Sequence, residues 1–147
     1  MEKTLSQKTV HWQAAGAACQ AAQEKAQELG IVVSAVVMDR GGNVIASLRD
    51  PRTPFHTYGI ASDKATTAAG FGMPTSQWWG FLESMNSPGV KAGLPATERL
   101  AVFGGGVPIY DGPELVGGIG VSGGSEEQDE ICARAGLAAA QLAGEPG

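Results

Sequence analysis

A chain of 147 residues, 43 % hydrophobic and 17 % charged, is long enough to bury the core of one domain and is too apolar for a disordered segment. Its formal charge of −5 and lack of any basic run argue against a nucleic-acid partner, whose phosphates favour clustered Lys and Arg. No apolar stretch is long enough for a membrane helix, and the opening MEKTLSQKTVHWQ lacks the basic-then-apolar order of a secretory signal, so the chain reads as cytoplasmic.

Residues 6–29 read as the first helix, because Val10, Ala14, Ala18, Ala22, Ala26 and Leu29 recur at helical spacing and Gly30 is placed to close it. Residues 31–39 are β-branched and run into Arg40-Gly41-Gly42-Asn43, a hairpin signal, with the return strand over 44–49. Asp50-Pro51-Arg52-Thr53-Pro54 breaks regular structure, and a second helix is expected over 57–71 with Ile60, Ala61, Lys64, Ala65, Ala68 and Phe71 near one face. Met73-Pro74-Thr75 stops it and starts a short helix carrying Trp78, Trp79, Phe81 and Leu82. Residues 84–98 read as a long loop, followed by strands around 100–109 and 114–122. The last helix opens on the capping box Ser125-Glu126-Glu127-Gln128, with Ile131, Ala135, Ala138 and Leu142 as its apolar side.

The resulting order, α-β-β-α-α-β-β-α, favours hairpins over crossovers and so an α+β domain, an antiparallel sheet covered by helices, spanning 1–147 as a single unit. The 22 glycines and many alanines point to close contacts between elements and to an extensive subunit interface. In the glycine-rich stretch 103–130, a Cβ would obstruct either another backbone or a ligand. A flat or acidic guest between glycine-lined main chain and alanine-faced helices is the ligand form of that expectation.

Four segments carry a family resemblance: Val36-Val37-Met38-Asp39-Arg40-Gly41-Gly42, Asp63-Lys64-Ala65-Thr66-Thr67-Ala68, Gly104-Gly105-Gly106-Val107-Pro108-Ile109, and Gly120-Val121-Ser122-Gly123-Gly124 with Gln128-Asp129-Glu130. In this order and spacing they resemble the GlcG/HbpS family, which also includes the C-terminal domain of PduO-type adenosyltransferases. The resemblance implies a profilin-like domain with a five-stranded antiparallel sheet, assembled into homo-oligomers that can reach octamers. Several members bind haem, so it implies an oligomeric binding protein for haem or a related tetrapyrrole. Others accompany catabolic enzymes.

Haem needs an apolar slot, an axial ligand and basic groups for its propionates. Only His11 and His56 supply imidazole, and Arg49 and Arg52 are the candidate partners for carboxylates. The alternative is a cofactor-independent enzyme acting on a carboxylated aromatic or hydroxy-acid metabolite in a subunit-interface pocket. Lys64 would there hold the anion or act as base, with Asp39 or Glu98 as acid/base and the backbone of Gly104, Gly105 and Gly106 as N–H donors. In structural terms, Lys64 would instead pair with Asp39, Asp63 or Glu130, and Asp39 would serve its own turn. Ser122 and Gly123 lead into a helix start that could bind a carboxylate, although Ser125 and the glutamates compete for the same amides. Cys19 and Cys132 read as free buried thiols, becoming a metal or redox pair only if the terminal helices bring them together. No metal-ligand spacing, phosphate loop, dinucleotide fingerprint or Ser-His-Asp order is present.

Overall fold

The computed structural model describes residues 1–147. Helix α1 (Trp12–Leu29) starts later than the apolar spacing suggests, and His11 is its N-cap. The preceding residues are committed elsewhere: the Val10 amide donates to the Val116 carbonyl at 3.0 Å, and the Arg40 amide donates to Thr9 Oγ1 at 2.8 Å. Gly30 ends the helix at φ 72°, returning its N–H to Ala26 and Gln27.

Strands β1 (Ser34–Asp39) and β2 (Val44–Arg49) form the expected hairpin, with a bulge between Val37 and Met38. Helix α2 (His56–Phe71) follows, and a single 3-10 turn (Thr75–Gln77) leads into α3 (Trp78–Glu83). The segment 84–98 is not a plain loop, since it holds α4 (Pro88–Gly93) and a 3-10 turn (Leu94–Ala96). Pro88 at the start of α4 has no amide to leave unsatisfied there, which suits it to open a helix. Strands β3 (Gly106–Asp111) and β4 (Glu114–Ser122) precede helix α5 (Glu126–Ala139), whose Ser125–Gln128 capping box is present as expected.

The architecture is α+β with a four-stranded antiparallel sheet in the order β2-β1-β4-β3, not the five strands that the resemblance implied. Beside the outer edge of β3, where a fifth strand would pair, the chain offers one residue. Ala143 makes an isolated bridge to Tyr110. β3 itself begins only at Gly106, because the chain bends at residues 103–105, where the glycine triplet starts.

Alternation along the strands builds two unequal layers on the sheet. Ala35, Val37, Val107, Ile109, Ile119 and Val121 pack with α1 and α5 in the main core. On the opposite face, Val36 and Met38 meet Ala61 and Ala65 of α2. There the sheet is lined by glycine: a Cβ at Gly120 would run into the Ala61 carbonyl and lie 2.6 Å from the Ala65 amide, and one at Gly106 would lie 2.5 Å from the Lys64 carbonyl. The glycines thus admit the backbone of α2, and no guest shares the space with it.

The buried side of α5 is Asp129, Cys132, Ala133, Gly136 and Leu137, one residue round from the apolar row expected, and Ile131 is 45 % exposed. Gly136 sets this phase, since a side chain there would strike the Ala18 carbonyl of α1, 2.5 Å from its Cβ. Asp129 sets it as well, by turning a carboxylate inward.

Candidate functional site

Two places in the fold gather the residues that chemistry would need. The first is interior. Lys64, on the sheet-facing side of α2, has a fully buried ammonium whose Nζ donates to the Val121 carbonyl at 2.9 Å and to Asp129 Oδ2 at 3.0 Å. Its partner is therefore Asp129, and not Asp39, Asp63 or Glu130. The other oxygen, Asp129 Oδ1, accepts the Gly124 amide at 2.8 Å. Burial pushes the lysine pKa down and the aspartate pKa up, and each opposes the shift of the other by its charge. The half-exposed Phe103 ring lies 5.0 Å from Nζ and closes the outer side.

The glycine triplet wraps this pair. Gly105, at φ 127°, allows the chain to pass where a Cβ would lie 2.6 Å from both Lys64 Nζ and the Val121 carbonyl. The neighbouring amides are already used: Gly104 donates to Glu126 Oε1 at 2.6 Å and Gly106 to Thr75 Oγ1 at 2.8 Å. Ser122 is buried at the end of β4, opposite Ser34, and Gly123 is an exposed left-handed residue at φ 144°. At the start of α5, the Gly124, Ser125 and Gln128 amides are taken by Asp129, Gln128 and Ser125 side chains. The arrangement is a closed polar knot that ties α2, α5 and the triplet together.

The remaining acid/base candidates stand apart from it. Asp39 Oδ1 accepts the Gly41 and Asn43 amides, each at 2.9 Å, which is its turn-forming role. Glu98 is exposed, next to Arg99 in a left-handed conformation at φ 64°. No hydrogen bond or ion pair joins Lys64, Asp39 and Glu98 to one another. Arg49 is exposed and donates to the Thr53 carbonyl at 3.1 Å, while Arg52 is locked to Asp50, whose carboxyl it holds down to about 2. His56 opens α2 on the surface.

The second place is an open recess of about 300 Å³ beside the start of α1. Val10, Ala14, Val116 and Leu142 form its apolar walls, and Lys8, His11 and Asp111 its polar ones. His11 accepts the Gln13 amide on Nδ1 at 3.2 Å, as the cap of α1. Its ring lies 5.7 Å from that of Trp12, which is 66 % exposed. Lys8 stands between Asp111, at 3.9 Å, and Glu114, at 3.7 Å. Sequence reasoning found His11 but missed Lys8 and Asp111, because their approach depends on the packing of the N-terminal segment along β4.

Cys19 and Cys132 are both free and buried. Burial pushes the Cys19 thiol up to about 12 and the Cys132 thiol up to about 11, so neither is a ready thiolate. No group of three or more His, Cys, Asp or Glu side chains is placed to hold a metal ion, and no helix is long and apolar enough to cross a membrane.

Residues 10–138 match the family described as haem degrading protein HbpS-like. A 15.0 kDa protein of the dhaT-dhaS intergenic region of Citrobacter freundii is 32 % identical over 140 residues, covering 93 % of this chain and 96 % of that one. The crystal structure of HbpS superposes with a TM-score of 0.81 at 32 % identity, covering 92 % of this chain and 93 % of that one. The crystal structure of a PduOC:heme complex superposes with a TM-score of 0.83 at 26 % identity, covering 93 % of this chain and 99 % of that one. With the family match spanning both terminal helices and everything between them, the chain belongs to the GlcG/HbpS family.

Proposed function

We propose that this chain is a cytoplasmic, homo-oligomeric small-molecule-binding protein whose ligand is haem or a related tetrapyrrole. The observation that carries the reading is the recess at the start of α1, where an imidazole and an ammonium flank apolar walls. This donor set fits the periphery of haem, an apolar ring with two carboxylates, and a relative of the same fold has been solved as a heme complex. The recess lies at the small end of ligand sites, so it takes one edge of the macrocycle. When bound, haem supplies a redox-active iron, while the residues named here bind and orient its edge.

Self-association is supported by aromatic surface. Phe71, Trp79 and Phe103 are 55 %, 60 % and 43 % exposed, and exposed aromatics of this kind favour interfaces. Light scattering after gel filtration is expected to give a mass of several chains, up to eight. A monomer at micromolar concentration would remove this part of the proposal.

The enzymatic alternative draws no support from the geometry, since Lys64, Asp39 and Glu98 line none of the surface recesses. For the leading reading, titration with hemin is expected to give a sharp, saturable Soret band at one haem per chain or per interface. A broad band that grows without saturating would remove the tetrapyrrole. His56, which lines none of the recesses, serves as the internal control: His56→Ala should leave the titration unchanged.

A further inference from the structure

A neutral imidazole has one N–H and one lone pair, on different nitrogens. In His11 the lone pair is engaged at Nδ1, where it accepts the Gln13 amide at 3.2 Å, so the hydrogen sits on Nε2. An iron atom taken by Nε2 would need the lone pair there instead. The hydrogen would move to Nδ1 and meet the Gln13 N–H donor to donor, and α1 would lose its side-chain cap. The Thr9 hydroxyl, two residues ahead, is engaged elsewhere: its Oγ1 accepts the Arg40 amide at 2.8 Å and lies 3.4 Å from the Val116 carbonyl.

We propose that His11 serves the ligand as an N–H donor from Nε2 to one of its carboxylates, and not as the axial ligand of its iron. The inference rests on the tetrapyrrole reading and assigns the recess to a propionate. The walls of Val10, Ala14, Val116 and Leu142 strengthen a hydrogen bond to a charged acceptor by excluding water on one side. Asp111 lines the same recess, and the Lys8 ammonium lies 3.9 Å from it and 3.7 Å from Glu114, which stands outside the lining. Both Lys8 contacts are longer than a hydrogen bond, so its donors remain available to an entering carboxylate. The chemistry selected is an amphipathic carboxylate with an apolar body, and the metal at the centre of a porphyrin is incidental to this contact.

The test is a pair of titrations, with hemin and with metal-free protoporphyrin IX, on the wild-type protein and on His11→Asn. Asparagine is among the best N-caps, so the variant keeps the start of α1 while withdrawing the Nε2 hydrogen. The expected result is that His11→Asn weakens both ligands by the same factor, about tenfold or more, as for a lost hydrogen bond to a charged group. The Soret maximum and the spin state of bound haem should not change. Weakening confined to hemin, with a shifted Soret band, would overturn the inference in favour of iron ligation. Unchanged affinity for both ligands would overturn it by placing the carboxylates elsewhere. If wild-type protein binds neither ligand saturably, the tetrapyrrole reading itself falls and takes this one with it, a result visible before any variant is made.

Discussion

Gly120→Ala is expected to lower the melting temperature by roughly 10 °C, from a change of one methyl group. The added carbon would fall on the Ala61 carbonyl and lie 2.6 Å from the Ala65 amide, and both are main-chain atoms held within α2. Overpacking costs about 1–3 kcal/mol and more where the neighbour cannot yield. Each kcal/mol shifts the midpoint by about 2–4 °C in a chain of this size. The control lies on the opposite side of the same helix, where Gly59 is exposed and nothing comes within 4 Å of its would-be Cβ. Gly59→Ala should raise stability by about 0.5–1 kcal/mol, because alanine loses less backbone freedom on folding. Thermal melting followed by circular dichroism measures both, and a midpoint for Gly120→Ala within two degrees of wild type would show that α2 does not sit against the sheet.

Lys64→Met carries the other large effect. Removing one member of a buried ion pair strands the other, and such losses run to about 3–5 kcal/mol, a large share of a total stability of about 5–15 kcal/mol. Asp129 would be left with the Gly124 amide as its donor in a site that already disfavours its charge. The double variant Lys64→Met/Asp129→Asn should recover part of the loss, since the amide keeps an acceptor for Gly124 and carries no charge. Exposed Lys8 is the comparison: deleting its contact to Glu114, at 3.7 Å, should change stability by less than about 1 kcal/mol. Urea denaturation of the four proteins decides it, and a Lys64→Met midpoint equal to that of wild type would mean that the pair holds nothing together.

Most of the layer arrangement was legible in the sequence because it follows from local rules. The apolar spacing in α1, the Gly30 cap, the hairpin at Gly41-Gly42 and the Ser125–Gln128 box each depend on residues within one or two turns of each other. The partner of Lys64 was harder to read, since Asp129 lies 65 residues away and joins it only when α2 and α5 reach the same end of the sheet. The apolar side of α5 was misread because its buried row contains an aspartate and a glycine, which a hydrophobicity pattern discounts. The glycines were read correctly as marking a close approach. Whether a backbone or a ligand fills the gap cannot be distinguished by residue type, because both require the same missing Cβ. His11 stands out in the sequence for its imidazole, whereas its role as a cap depends on where α1 begins, which the long-range bonds of Thr9 and Val10 decide.

The contact of α2 with bare main chain also bears on which length changes this domain can absorb. Each residue added to an α-helix turns everything beyond it by about 100°. One insertion just ahead of Ile60 would put Ile60 and Lys64 where Ala61 and Ala65 now face the sheet, in gaps sized for a methyl group. Deletions in that helix should be rejected for the same reason. The segment from Ser84 to Glu98, largely exposed and held by few long-range bonds, has no such phase to keep. Variation in length among natural homologues should therefore gather there, leaving the spacing between Lys64 and the residues ahead of it fixed.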